Sequence, residues 1–146
     1  MYKDILTELI KNIKYAKLSP PCTYEEIAKT EEFIGHKFPS DLKELYLETD
    51  GDNYLLLSLS RIMENVSLNR EYLRELFENE EEYKEKIDNF IFFATNGCGD
   101  YYGYKVDMQN ITDASKIYFW EHEDFESKIV AENLTELIKK YYNDEI

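Results

Sequence analysis

The chain has 146 residues, 43% hydrophobic and 33% charged, which excludes a disordered chain and fits one globular domain able to bury most of its apolar surface. Seventeen Lys and Arg against thirty-one Asp and Glu give a net charge of −14. That excludes direct nucleic-acid or anionic-membrane binding, since both need a concentrated positive patch. No apolar run reaches the length of a membrane span, and the longest, Phe90 to Ala94, suits a core strand. The N-terminal MYKDILTELIKNIKY is amphipathic and lacks the apolar centre of a secretion signal. With Cys22 and Cys98 as the two cysteines, the expectation is free thiols in a soluble cytoplasmic monomer or dimer.

In chain order, the segment 1–19 is expected to hold a helix over Lys3 to Tyr15, with Leu6, Leu9, Ile10 and Ile13 inward. Pro20-Pro21 breaks it. Thr23 with Glu26 is a capping box, and Ile27, Phe33 and Ile34 give the next helix an apolar face. Gly35 suits a left-handed helix stop, and Ser40, after Phe38-Pro39, is the expected cap of a third helix carrying Leu42, Leu45 and Tyr46. Asp50-Gly51-Asp52-Asn53 reads as a turn; as a calcium loop it fails, because Arg61 stands where a bidentate Glu is needed. A short strand follows over Tyr54 to Leu59, then a charged helix over Ser67 to Lys86 with Leu68, Tyr72, Leu76 and Tyr83 as its inner stripe. Three strands come next, Asn89 to Thr95, Tyr101 to Asp107 and Lys116 to Glu121, the first two joined by a hairpin at Gly97-Cys98-Gly99. Asn133 with Glu136 caps a closing helix with Leu134, Leu137, Ile138 and Tyr141 inward. Strands bracketed by helices predict a single-domain α+β fold, an antiparallel sheet flanked by helices.

Three motifs stand in a telling order. Glu31-Glu32 to Gly35 leads to Phe38-Pro39, Asp41 to Tyr46 and Asp50-Gly51. Phe90 to Thr95 leads through Asn96-Gly97-Cys98-Gly99-Asp100 to Tyr101 to Asp107. Ile117 to His122, holding Trp120, leads through Ile129-Val130-Ala131 to the last helix. Over Tyr24 to Tyr142 the chain resembles the SMI1/KNR4 domains of the SUKH superfamily. The resemblance implies a non-catalytic protein-binding domain. Bacterial members look like immunity proteins that bind and block a toxin, and eukaryotic relatives regulate cell-wall synthesis through protein contacts. The motifs carry over no catalytic residue, cofactor or metal ligand.

The residues themselves point to a protein partner. Between Glu71 and Asp88 eight acids face three bases, and Glu121, Glu123, Asp124 and Glu126 lie within six residues. Such clusters steer a basic partner. Alternation along the strands assigns Tyr102, Tyr104, Val106, Ile117 and Phe119 to the core and sends Tyr101, Lys105, Tyr118 and Trp120 to the other face. The expected contact set is therefore Tyr101 and Trp120 as exposed anchors with Glu80, Glu81, Glu121, Glu123 and Asp124. A toxin that handles nucleic acid, a nuclease or deaminase, is basic where it holds phosphate and fits this set. The alternatives are a regulatory scaffold, and a small enzyme using Cys98 as nucleophile and His122 as base with Asp124 beyond it. Cysteines and histidines at 22, 36, 98 and 122 include no close pair for a zinc site, and Gly97-Cys98-Gly99 lacks the Lys-Ser/Thr of a phosphate loop.

Overall fold

The computed structural model describes residues 1–146. Helices α1 (Tyr2–Ile10), α2 (Tyr24–Ile34), α3 (Ser40–Glu48), α4 (Leu59–Tyr72) and α5 (Glu80–Tyr83) precede the strands, and α6 (Leu134–Tyr142) follows them. Strands β1 (Phe90–Thr95), β2 (Tyr101–Lys105), β3 (Ile117–Trp120) and β4 (Ser127–Ala131) form one antiparallel sheet in the order β1-β2-β3-β4. The protein is α+β, as the pattern of elements predicts.

The capping box of α2 forms in full: the Thr23 hydroxyl accepts from Glu26 N–H, and the Glu26 carboxylate accepts from Thr23 N–H. Gly35 ends the helix with φ at 85°. Phe33, expected inside, is exposed, while Glu31 is buried. The Glu31 carboxylate accepts from Phe38 N–H at 2.7 Å and sits 3.5 Å from Lys43 Nζ, so a charge fixes the turn into α3. Pro39, not Ser40, occupies the cap position of α3, because its extended backbone supplies the entry angle without a side-chain bond. Helix α1 stops at Ile10, short of Tyr15, because residues 17–22 are drawn into backbone bonds elsewhere: Lys17 N–H to Asp52 O, Ser19 N–H to Gly51 O, and Cys22 N–H to Tyr46 O.

The expected strand Tyr54 to Leu59 is reduced to one bridge, Leu56 against Ala94, flanked by Leu57 N–H to Phe93 O and Thr95 N–H to Leu55 O. It ends early because Leu59 already opens α4. There the Ser58 hydroxyl accepts from Arg61 N–H and the Asp50 carboxylate accepts from Leu59 N–H. The charged helix expected over Ser67 to Lys86 is in fact α4, a 3-10 turn (Arg74–Leu76), α5 and a wide π turn (Lys84–Asp88). Its predicted inner stripe is also corrected. Tyr83 is buried, but Leu68, Tyr72 and Leu76 are exposed, because Phe77 goes extended and turns the chain so that Tyr83 and Ile87 reach the sheet.

The sheet is covered on both faces. Ile91, Phe93, Tyr102, Tyr104, Val106 and Ile117 join the helices in the main core. Phe90, Phe92 and Trp120 join Tyr83 and Ile87 in a second, smaller core beneath the α5 segment. At the centre Gly103 pairs with Phe92, and a Cβ there would lie 2.4 Å from Ile91 O, so only glycine lets β1 and β2 close. Strand β4 escapes sequence reading because its exposed Lys128 and Ile129 break any alternation.

Asp52 is completely buried. One oxygen accepts from the N–H groups of Tyr54, Leu55 and Leu56 at 2.8–2.9 Å, and the other accepts from the Tyr142 hydroxyl. Asp52→Ala leaves the buried N–H groups of Leu55 and Leu56 unsatisfied and is expected to cost at least about 2 kcal/mol, since each such group costs about 1–3. Chemical denaturation of the variant checks it, and a loss below about 1 kcal/mol is inconsistent with this role.

Candidate partner-binding surface

Trp120 was expected as an exposed anchor; it is 1% exposed. Its face assignment holds, but that face is roofed. The indole N–H donates to Lys86 O at 2.8 Å, Phe92 lies 5.0 Å and Tyr101 5.6 Å away between ring centroids, and Phe125 stacks at 5.8 Å. Tyr101 is half-buried and stacks on Phe92 at 4.8 Å. The aromatic cluster is therefore a core, and the segment that closes it carries the acids. Burial of the Tyr101 ring in this cluster pushes its hydroxyl pKa up.

Two contacts join that segment to the β3–β4 turn. Phe77 meets Phe125 at 5.5 Å, and Lys86 Nζ pairs with Glu126 Oε1 at 3.1 Å. They bring together acidic runs some forty residues apart in sequence. Glu80 and Glu81 open α5, exposed, where Asn79 caps the helix by accepting from Glu82 N–H and the helix start favours negative charge. Glu80 also pairs with Arg74, which lies over the Tyr83 ring. Across the contact, Glu123 and Asp124 are exposed and Glu121 is half-buried. The turn that holds them is tight: Phe125 has φ at 61°, its N–H bonds Glu121 O, and Asp124 accepts from Glu126 N–H. Sequence reasoning singles out neither Phe77 nor Phe125, and it takes Lys86 and Glu126 only as members of the charge runs, not as a pair. A lone Phe inside each acidic run was the available signal.

Cys98 and His122 lie at the neighbouring pole. Cys98 is exposed in the β1–β2 loop, its N–H donating to Asn96 Oδ1. His122 Nδ1 pairs with Asp100 Oδ1 at 2.6 Å, and its backbone N–H donates to the same oxygen at 3.0 Å. Asp100, not the expected Asp124, is thus the carboxylate that orients this imidazole. A Cβ on Gly99 would press on the His122 ring at 3.2 Å, so glycine lets the two hairpin tips meet. No group of three or more His, Cys, Asp or Glu side chains is arranged to hold a metal ion, and no helix is long and apolar enough to cross a membrane.

A four-stranded antiparallel sheet between helices, with a helical cover bearing acids, defines the class of this domain. The profile of the SMI1 / KNR4 family (SUKH-1) matches residues 21–140, and the chain belongs to that family. Its domains are of the immunity type and generally non-catalytic. Among curated proteins, none matches the chain.

Trp120→Ala empties the second core and is expected to cost about 3–5 kcal/mol of stability, as large-to-small aromatic changes do. A fully stable variant in thermal unfolding contradicts the core role. The His122–Asp100 pair sets a pH dependence. The hydrogen bond from Asp100 raises the His122 pKa above its ordinary 6.5. Burial opposes it, but bonds from His122 and Asn96 hold Asp100 below its ordinary 3.8. The His122 contribution is therefore complete below pH 6.5 and lost as pH rises through the raised value. The Asp100 contribution is present above pH 3.8 and lost as pH falls through the lowered value. The stability advantage of the native chain over His122→Gln should shrink as pH rises above 6.5 and through the raised His122 value. A constant difference in denaturation midpoints contradicts the pairing.

Proposed function

We propose that this chain is an immunity protein that binds a cognate bacterial toxin domain, a basic nuclease or deaminase, and blocks it by occlusion. The observation that carries this reading is the meeting of two acidic runs on one surface, joined by Phe77–Phe125 and Lys86–Glu126. Membership of the family supports it. A toxin that grips phosphate presents lysine and arginine there, and a carboxylate surface competes for those groups. Glu80, Glu81, Glu123 and Asp124 are the partner-facing side chains. Glu121 shapes the turn, while Trp120 and Tyr101 support the surface from beneath instead of touching the partner. Opposite charge accelerates encounter and fixes orientation more than it adds affinity.

The test is a pull-down of basic nuclease or deaminase toxin domains from the source organism's lysate and secretome with this chain as bait. Association is then followed at low and high salt, with toxicity scored in cells that co-express the two. Protection is expected, with association slowing roughly tenfold or more from about 0.05 to 0.5 M salt. Replacing Glu81 and Glu123, exposed acids without an ion pair in the chain, by Lys should slow association while leaving the fold intact. Absence of protection overturns the immunity reading. Protection with a salt-independent rate overturns the electrostatic part alone.

A further inference from the structure

Leu68, Tyr72 and Leu76 are 42, 65 and 63% exposed, at four-residue steps along α4 and its 3-10 extension. Read as sequence they are an inner stripe, yet Phe77, Tyr83 and Ile87 take the place on the sheet and leave them outside. Leu68 and Tyr72 share one ridge of α4 and Leu76 follows on the 3-10 turn; large apolar side chains grouped toward water mark a surface that another molecule covers. Residues spaced by four form the ridge that packs into the groove of a second helix. Tyr is also a residue type favoured at the centre of interfaces.

Charge selects the occupant. Glu64, Glu71, Glu75 and Glu78 are exposed around the stripe. The nearby cations are already committed. Arg70 bonds Asp88 Oδ1 and the carbonyls of Phe33 and Ile34 that end α2, and Arg74 pairs with Glu80, while Arg61 stands two helical turns before Leu68. An apolar ridge with an acidic rim fits an apolar ridge with a basic rim. We propose that the Leu68–Tyr72–Leu76 face docks an amphipathic, lysine- or arginine-rimmed helix of a partner protein. The proposal rests on the reading above that the partner is basic, and it names the surface and partner element that reading leaves open.

The probe is an 18-residue Leu/Lys amphipathic helical peptide, compared with a Ser/Lys peptide of equal charge, each titrated into the isotope-labelled full chain. The Leu/Lys peptide should move amide signals of α4 and the Arg74–Leu76 turn and bind at least about tenfold more tightly than its control. Leu68→Ser/Tyr72→Ser/Leu76→Ser should remove that preference, with circular dichroism and unfolding temperature unchanged. Tyr72→Ser alone, at a largely exposed site, gives a weaker loss in the same direction and serves if the triple variant folds poorly. Equal binding of the two peptides, no binding, or shifts centred on Glu121–Glu126 overturns the proposal. Such a result beside intact protection from the toxin leaves the immunity reading standing and moves its contact to the β3–β4 turn. Loss of protection with the stripe still binding the peptide removes the immunity reading alone.

Discussion

The fold turns on a carboxylate with no access to water. Burying an unmatched charge costs several kcal/mol, yet Asp52 sits at 0% exposure because four donors converge on it. Three are successive backbone N–H groups, and they hold residues 52–56 in one tight turn. The fourth is the Tyr142 hydroxyl, which fastens α6 to that turn. The neighbouring residues extend the same knot. Gly51 has φ at 95°, and a Cβ there would lie 2.6 Å from Leu56 O, so the Asp-Gly pair is a steric requirement. Asp50 caps α4, Thr49 donates to Ser19 O, and the Tyr46 hydroxyl donates to Leu57 O. Residues 17–20, α3, α4 and α6 thus converge on residues 49–52, and β1 joins the chain just beyond, at residues 55–57.

Covering the sheet on both sides has a functional consequence. Strand aromatics on a half-covered sheet would offer a ready interface, but here the α5 segment and the β3–β4 turn close over Trp120, Phe90 and Phe92. Under the proposed reading, recognition falls to the outside of that cover, whose exposed side chains make few contacts with the interior. Substituting them leaves both cores and the Asp52 knot untouched, so partner preference can change at little cost in stability. The cover is itself held by specific bonds, the Trp120 indole on Lys86 O and Arg70 on Asp88 and the end of α2. Acids on it are therefore presented in a fixed arrangement.

What the sequence disclosed follows from how local each interaction is. Thr23 with Glu26, Asn133 with Glu136, and Gly35 are satisfied within one helical turn, so they can be read directly and the structure repeats them. The faces of β2 and β3 were legible because side chains alternate, and Tyr102, Tyr104, Val106 and Ile117 lie inward accordingly. Exposure was not legible for Trp120, since its roof comes from residues 77–87 and from Phe125. Leu68, Tyr72 and Leu76 misled for a related reason. Four-residue spacing defines a stripe but not what lies against it, and the extended backbone of Phe77 sends the interior role to Tyr83 and Ile87. Asp52 looked like a turn residue, which it is; its burial depends on Tyr142, ninety residues away.

A net charge of −14 disfavours the compact state by self-repulsion, and several of the acids here, Glu81, Glu123 and Asp124 among them, have no cationic partner within the chain. A basic partner would relieve that repulsion, which makes association fast and sensitive to salt. Exposed charge does not make a complex long-lived, because paired ions at a wet rim gain little over their hydration. Residence has to come from apolar surface withdrawn from water, and differences in affinity between related complexes lie mostly in the dissociation rate. On this protein the buried Trp120 cannot supply that surface, whereas the uncovered ridge on α4 can. Acids and ridge divide the work under the proposed reading: the first bring a basic partner in and orient it, and the second keeps it there.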